Sequence, residues 1–310
     1  MALVTGGAGY GKTTLIAQAM AHIGADIVWY CLDESDGDFS TFMGYLMAGI
    51  RKHQPAFERQ LEEKLSVPSI SEKGREGILL EFLVEIEKCI ASDMIIVLDD
   101  FHTVQDNSTI TNALNFVLAR TPSNLHWIFS GRTDPAIQTS RYRAMLDVID
   151  IGEAALAFRM DETERLYAEL LKVSITESAI RNLLERTGGW AAGLILYFNA
   201  LRSNHFAAEE ERLFELGKSR RFIFQYMEEN IFAGQPYEVK EFMLKSSLLS
   251  RLDPVFCDKL TGRTDSGQIL NMLCNNHLFT FPYGDEGHCY KYHHLLQDFL
   301  QDRLQRSVGF

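Results

Sequence analysis

Eight residues near the start of the chain, Gly6-Gly7-Ala8-Gly9-Tyr10-Gly11-Lys12-Thr13, fit the pattern GxxxxGK[ST] in full. Each part of that pattern has a job in holding phosphate. The glycines let the backbone take conformations barred to residues with a Cβ, so that N–H groups close around an anion. A helix starting near Lys12 aims the positive end of its dipole at the same place. The Lys12 ammonium reaches β- and γ-phosphates, and the Thr13 hydroxyl is a ligand for Mg²⁺.

A second stretch, Met94-Ile95-Ile96-Val97-Leu98-Asp99-Asp100, is a continuous apolar run that ends in two acids. A buried strand fixes a carboxylate at the end where the phosphate loop also lies. Asp99 is the candidate for holding the metal, and Asp100 for orienting or deprotonating an attacking water. A third stretch, Ile128-Phe129-Ser130-Gly131-Arg132, delivers an arginine after a strand. Arg132 is either a contact to the γ-phosphate or a surface arginine in a loop, and spacing alone leaves both open. The pair His293-His294 has no metal-ligand spacing and by itself reads as packing or helix capping. The acidic run Asp33, Glu34, Asp36, Asp38 reads as the solvated first turn of the next helix.

These residues need elements to position them. Apolar segments at residues 2–5, 27–32, 94–98, 125–130 and 148–151 read as strands. They alternate with helical patterns at 12–23, 39–50 and 78–90, and in the first of these Leu15, Ala19 and Ile23 share a face. Continuous apolar strands separated by helices predict a parallel sheet with helices on both faces. Past Phe158 the pattern turns helical, over 162–173, 177–186 and 190–203. Between Leu278 and Tyr292, two short apolar stretches flank Gly284-Asp285-Glu286-Gly287 as in a hairpin, and a helix follows over 294–306. Helices, one hairpin and a last helix predict a winged-helix arrangement. The polar interval 204–217 is the best linker. The expected fold is therefore an α/β phosphate-loop NTPase domain (1–158), a helical domain (159–212) and a winged-helix-like domain (213–310).

Composition bounds the rest. The 310 residues are 46% hydrophobic and 23% charged, which is enough apolar material for a folded core and excludes a largely disordered chain. A net charge of −12 argues against a broad grip on a nucleic-acid backbone. No basic run is longer than the short cluster Lys218, Arg220, Arg221, and it reads as a solvated helix face. Five cysteines with no CxxC spacing point away from disulfide frameworks and zinc sites and toward a reducing cytoplasm. No apolar run approaches the roughly 18 residues of a membrane span.

The ordered set of motifs resembles the nucleotide-switch region of MalT-like, LuxR-type transcriptional regulators, in the STAND class of signal-transducing ATPases. Residues 7–15 are similar to the family's AGYGKTTL loop, which brings Thr14 into the nucleotide-binding set. Trp29 to Asp36 resembles WxSLDxxD, Leu98 to His102 resembles LDDFH, and Ser130 to Pro135 resembles SRxxP with one extra residue before the arginine. Further on, Leu156-Ala157-Phe158, Glu162 and Thr187 to Leu194 resemble LxF…E…GGWxAGL. Glu241 to Leu249 and Tyr292 to Leu300 resemble xFLxxTSxL and YHxLFxxFL.

The resemblance implies a molecular switch: ATP with Mg²⁺ favours an open, self-associating state, ADP holds a closed one, and slow hydrolysis resets it. It also implies that a histidine of the last domain, here His293, senses the phosphates, and that the winged helix is a regulatory lid rather than a DNA reader. Family members carry a segment before the first strand that helps hold adenine, whereas Met1 to Thr5 alone precede the loop here. A fragment, a misplaced start and weakened adenine binding all fit that departure. The family's inducer-binding repeats and DNA-binding domain are likewise not found before Phe310. Two rival readings stay open: a nucleotide-holding module without turnover, and a small-molecule kinase built on the same loop.

Overall fold

A computed structural model describes residues 1–57, 60–67, 70–172, 174–202, 216–283 and 289–308. The proposed linker at 204–217, the boundary at 212/213 and the hairpin tip at 284–287 fall wholly or mostly outside the described residues. The chain divides into two compact units. The first holds Met1–Gly6 and Lys12–Gly152, the second Gly7–Gly11 and Glu153–Phe310.

The first unit is built on five parallel strands: β1 (Ala2–Thr5), β2 (Asp26–Cys31), β3 (Met94–Asp99), β4 (Leu125–Gly131) and β5 (Ile149–Ile151). Their order is β2-β3-β4-β1-β5. All six residues of β3 are buried, so the sheet is covered on both faces. The cover is helical: α1 (Lys12–Met20), α2 (Phe39–His53), α3 (Gln60–Leu65), α4 (Glu72–Cys89), α5 (Ser108–Leu118) and α6 (Ser140–Ala144). Helix α2 starts where the Asp38 carboxylate accepts from the Thr41 amide at 2.9 Å, and its last turn carries Arg51, Lys52 and His53 against the negative dipole end. Phe42, Met43, Leu46, Met47 and Ile50 recur at helical spacing and join the sheet's core.

Helix α1 corrects the sequence reading. Its buried stripe is Lys12, Ile16 and Met20, while Leu15 is 37% and Ile23 44% exposed. Both stripes have the same four-residue spacing, so periodicity could not choose between them. The helix also ends at Met20, before Ile23. The acidic loop differs in one respect too. Asp33 and Asp38 do cap the turns that follow, but Asp36 is buried and accepts from the Tyr30 hydroxyl at 2.6 Å.

The second unit is helical: α7 (Glu153–Leu156), α8 (Met160–Arg165), α9 (Glu177–Thr187), α10 (Ala191–Arg202), α11 (Leu216–Met227), α12 (Tyr237–Ser246), α13 (Pro254–Thr261), α14 (Ser266–Asn275) and α15 (His294–Val308). Strands β6 (Thr280–Tyr283) and β7 (Cys289–Tyr292) pair antiparallel between α14 and α15. That order is the helices, hairpin and closing helix of a winged helix. Helix α9 ends on Gly188 with φ of 60°, and Gly189 follows at 77°. A Cβ on Gly189 would lie 2.5 Å from the Phe158 carbonyl oxygen, and the Phe158 amide donates to the Gly189 carbonyl at 2.9 Å. The paired glycines of GGW thus serve a backbone crossing that no side chain could enter.

Candidate functional site

Within the first unit, parallel pairing brings the carboxyl ends of β1, β3 and β4 to one edge. The Gly6 amide donates to the Gly131 carbonyl at 3.2 Å, tying the end of β1 to the end of β4. Lys12 is buried, and its ammonium donates to the Gly6 carbonyl at 2.8 Å. The Thr13 hydroxyl donates to Asp99 Oδ2 at 2.8 Å, and the Asp100 amide donates to Asp99 Oδ1 at 3.1 Å. Asp99 is 1% exposed, so its carboxylate is held by these two donors in a nearly water-free position.

Asp100 follows in the left-handed region at φ of 56°, a conformation aspartate tolerates better than most residues. Burial, then the charge of Asp99, pushes its carboxyl up, while Lys12 and Arg132 pull it down. Arg132 is half-buried, and its charge acts on both Asp100 and His102. The structure therefore gathers Lys12, Thr13, Asp99, Asp100 and Arg132. Thr14 lies exposed on α1.

His102 belongs to the same group, although no motif assigns it a role of its own. Burial, then Arg132 and Lys12, depress its pKa to about 4. It is neutral at pH 7, and its Nδ1 is a buried atom without a hydrogen-bond partner among the described residues, 3.7 Å from an Asp100 oxygen. The signal that would have found it is the turn at Phe101–Thr103, which folds the residue two places past Asp100 back toward the acids.

Within the second unit, the loop Gly7–Gly11 is held from outside. The Gly7 amide donates to Glu153 Oε1 at 2.7 Å. The Trp190 indole donates to the Ala8 carbonyl at 3.0 Å, and the Ala192 amide to the Gly9 carbonyl at 3.0 Å. Gly9 and Gly11 have φ of 78° and 85°. Tyr10 is buried, with its ring 6.4 Å from that of Phe279, and burial followed by the charge of Glu153 pushes its phenol up. His277 Nδ1 lies 3.1 Å from the same Glu153 oxygen that takes the Gly7 amide. Neither Glu153 nor His277 stood out in the sequence, because each becomes special only through a partner far along the chain.

His293 lies in the second unit beside the GGW turn. Its Nδ1 accepts from the Leu295 amide at 3.3 Å, and it also hydrogen-bonds the backbone of Thr187. Burial, then the neighbouring His294, lowers its pKa to about 3. A Cβ on Gly188 would lie 3.3 Å from His293 Nε2.

The residues present fit a magnesium nucleotide. Thr13 and Asp99 offer hard oxygen donors side by side, and the loop keeps glycine at both positive-φ positions. Among the described residues no cluster of three or more His, Cys, Asp or Glu forms a separate metal site.

The family described as MalT winged helix domain matches residues 227–309, and the family described as Nephrocystin 3, N-terminal, matches residues 1–132. The HTH-type transcriptional regulator MalT of Vibrio cholerae is 29% identical over 306 residues, covering 97% of this chain and 33% of that protein. The regulator of the same name from Klebsiella pneumoniae is 27% identical over 312 residues, covering 100% and 34%. The chain is MalT-like. It spans about a third of the length of these curated relatives. The fold of this MalT-like chain is that of a phosphate-loop ATPase. A Walker-type ATPase of Pyrococcus abyssi superposes with a TM-score of 0.60 at 13% identity, covering 97% of this chain and 90% of that one. No helix among the described residues is long and apolar enough to cross a membrane.

Proposed function

We propose that this chain is the ATP/ADP- and Mg²⁺-binding switch region of a MalT-like, STAND-class regulator that hydrolyses ATP slowly. One observation carries the reading: Lys12, Thr13, Asp99, Asp100 and Arg132 come together where β1, β3 and β4 end. In this reading Lys12 neutralises β- and γ-phosphate oxygens, and the amides of the loop and Thr14 complete the cradle. Thr13 and Asp99 are the metal's protein ligands, and the bound ion supplies charge neutralisation at the phosphates. Asp100, with its carboxyl pushed up by burial, accepts the proton of the attacking water, and Arg132 contacts the γ-phosphate. The neutral imidazole of His102 adds a hydrogen-bonding nitrogen beside Asp100.

The proposal extends to organisation: an ATPase domain over 1–158, a helical domain over 159–212 and a winged-helix domain over 213–310. It includes self-association in the ATP state, a cytoplasmic location, no direct DNA contact by this region, and His293 as a phosphate sensor. The test is calorimetric titration of ATP and ADP with Mg²⁺ into the chain and into Lys12→Ala. Binding that disappears in the variant is expected, and equal affinity in both proteins sinks the reading. A module that holds nucleotide without turnover is the second reading. Phosphate release separates the two.

A further inference from the structure

The basic cluster at Arg220 and Arg221 does more than line a solvated helix face. Arg220 and Arg221 of α11 face Arg303 and Arg306 of α15 across a cavity of about 510 Å³, within the size range of small-molecule sites. Two carboxylates line the same cavity. Asp302 is bridged by Arg306 at 2.8 Å and Arg220 at 3.7 Å, and Glu228 pairs with Arg303. Four guanidinium groups against two carboxylates leave two positive charges in a chain whose net charge is −12. Arg221 has no hydrogen-bond or ion-pair partner among the described residues. The cavity also has an aromatic wall, where Phe224 and Phe299 meet edge to face at 5.6 Å. The Arg220 guanidinium lies over the Phe224 ring at 4.8 Å, fixing its fork of donors in place.

We propose that this cavity between α11 and α15 binds a small phosphorylated molecule with a flat apolar body, at a site separate from the phosphate loop. Each paired arginine spends one or two of its five donors on a carboxylate, and the remaining donors suit the several acceptor oxygens of a phosphate. The half-buried Phe224 ring, backed by the buried Phe299, offers a surface for the ring or chain that carries it. The small volume favours such a ligand over an acidic protein segment, whose stable docking needs roughly 800 Å² on each partner.

The experiment titrates phenyl phosphate and inorganic tripolyphosphate into the full chain at low and high salt, in parallel with Lys12→Ala to remove any contribution from the loop. Salt-sensitive binding that survives Lys12→Ala and weakens about tenfold in Arg221→Gln is the expected result. Arg221 makes no ion pair among the described residues, so this variant keeps the fold, which its thermal melt verifies. No binding of either probe, or the same affinity in Arg221→Gln, overturns the proposal. So does binding of a hexaglutamate peptide by a chain that ignores both phosphates, since that outcome assigns the cavity to an acidic protein segment.

Discussion

The indole N–H of Trp190 donates to the carbonyl of Ala8, so a residue 182 positions along the chain holds the phosphate loop from behind. The ring is fully buried and lies 5.0 Å from both Tyr226 and Phe279. Trp190→Phe keeps an aromatic ring and removes the donor. We expect it to cost about 1 kcal/mol of stability, while Trp190→Ala costs about 3–5 kcal/mol. Urea denaturation of both variants measures the difference. Equal losses in the two variants would mean that the ring's packing contributes nothing beyond the hydrogen bond.

Gly9 is the loop position with least room. A Cβ there would lie 2.6 Å from the Tyr226 hydroxyl and 2.7 Å from the Ala192 Cβ, on a backbone with φ of 78°. Gly9→Ala is expected to destabilise the chain by about 2 kcal/mol, from left-handed strain and forced displacement together. Gly24 meets nothing within 4 Å, so Gly24→Ala is the matched control and should change stability by less than about 1 kcal/mol. Parallel thermal melts compare them.

Much of this arrangement was legible in the chain itself. The apolar runs at 94–98 and 125–130 became β3 and β4 within a residue, because strands buried on both faces carry no ambiguity of face. The pairing of Thr13 with Asp99 followed from two motifs that meet wherever a sheet is parallel. In helix α1 spacing stops short of the answer, because Leu15 and Ile16 begin equally regular stripes and only the sheet decides which is covered. His102, Glu153 and His277 were not found because their roles come from contacts rather than spacing.

The histidines set a direction for acid stability. His102 and His293 have folded pKa values of about 4 and about 3, below the ordinary value of 6.5, and His294 is shifted the same way. As pH falls through 6.5, the unfolded chain takes up protons that the folded chain refuses. Stability from these groups is therefore full above pH 6.5 and is lost as pH falls toward 4. The urea midpoint should drop between pH 7.5 and pH 5.5, and His293→Gln should flatten that slope. A wild-type midpoint independent of pH over this range would contradict the burial of neutral imidazoles.

Asp99→Asn tests the metal assignment without altering shape. The amide's one oxygen accepts from the Asp100 N–H, its NH2 donates to the Thr13 hydroxyl oxygen, and the charge that suits a divalent cation is lost. Titrating ATP with and without Mg²⁺ should show that the ion strengthens binding to the wild type and has little effect on the variant. An undiminished Mg²⁺ effect would move the metal ligand to another residue.

The burial of Asp99 has a thermodynamic side as well. A carboxylate that is 1% exposed and met by two neutral donors is a standing penalty on the folded chain. A cation that settles there relieves it, and the relief appears as resistance to unfolding. By mass action, ligand at a hundred times its dissociation constant adds about 2.7 kcal/mol, a large part of the stability of a typical domain. On the proposed reading, abundance would then track nucleotide supply. A cell short of ATP and Mg²⁺ would hold a softer protein, more open to proteolysis, before any signal reached it.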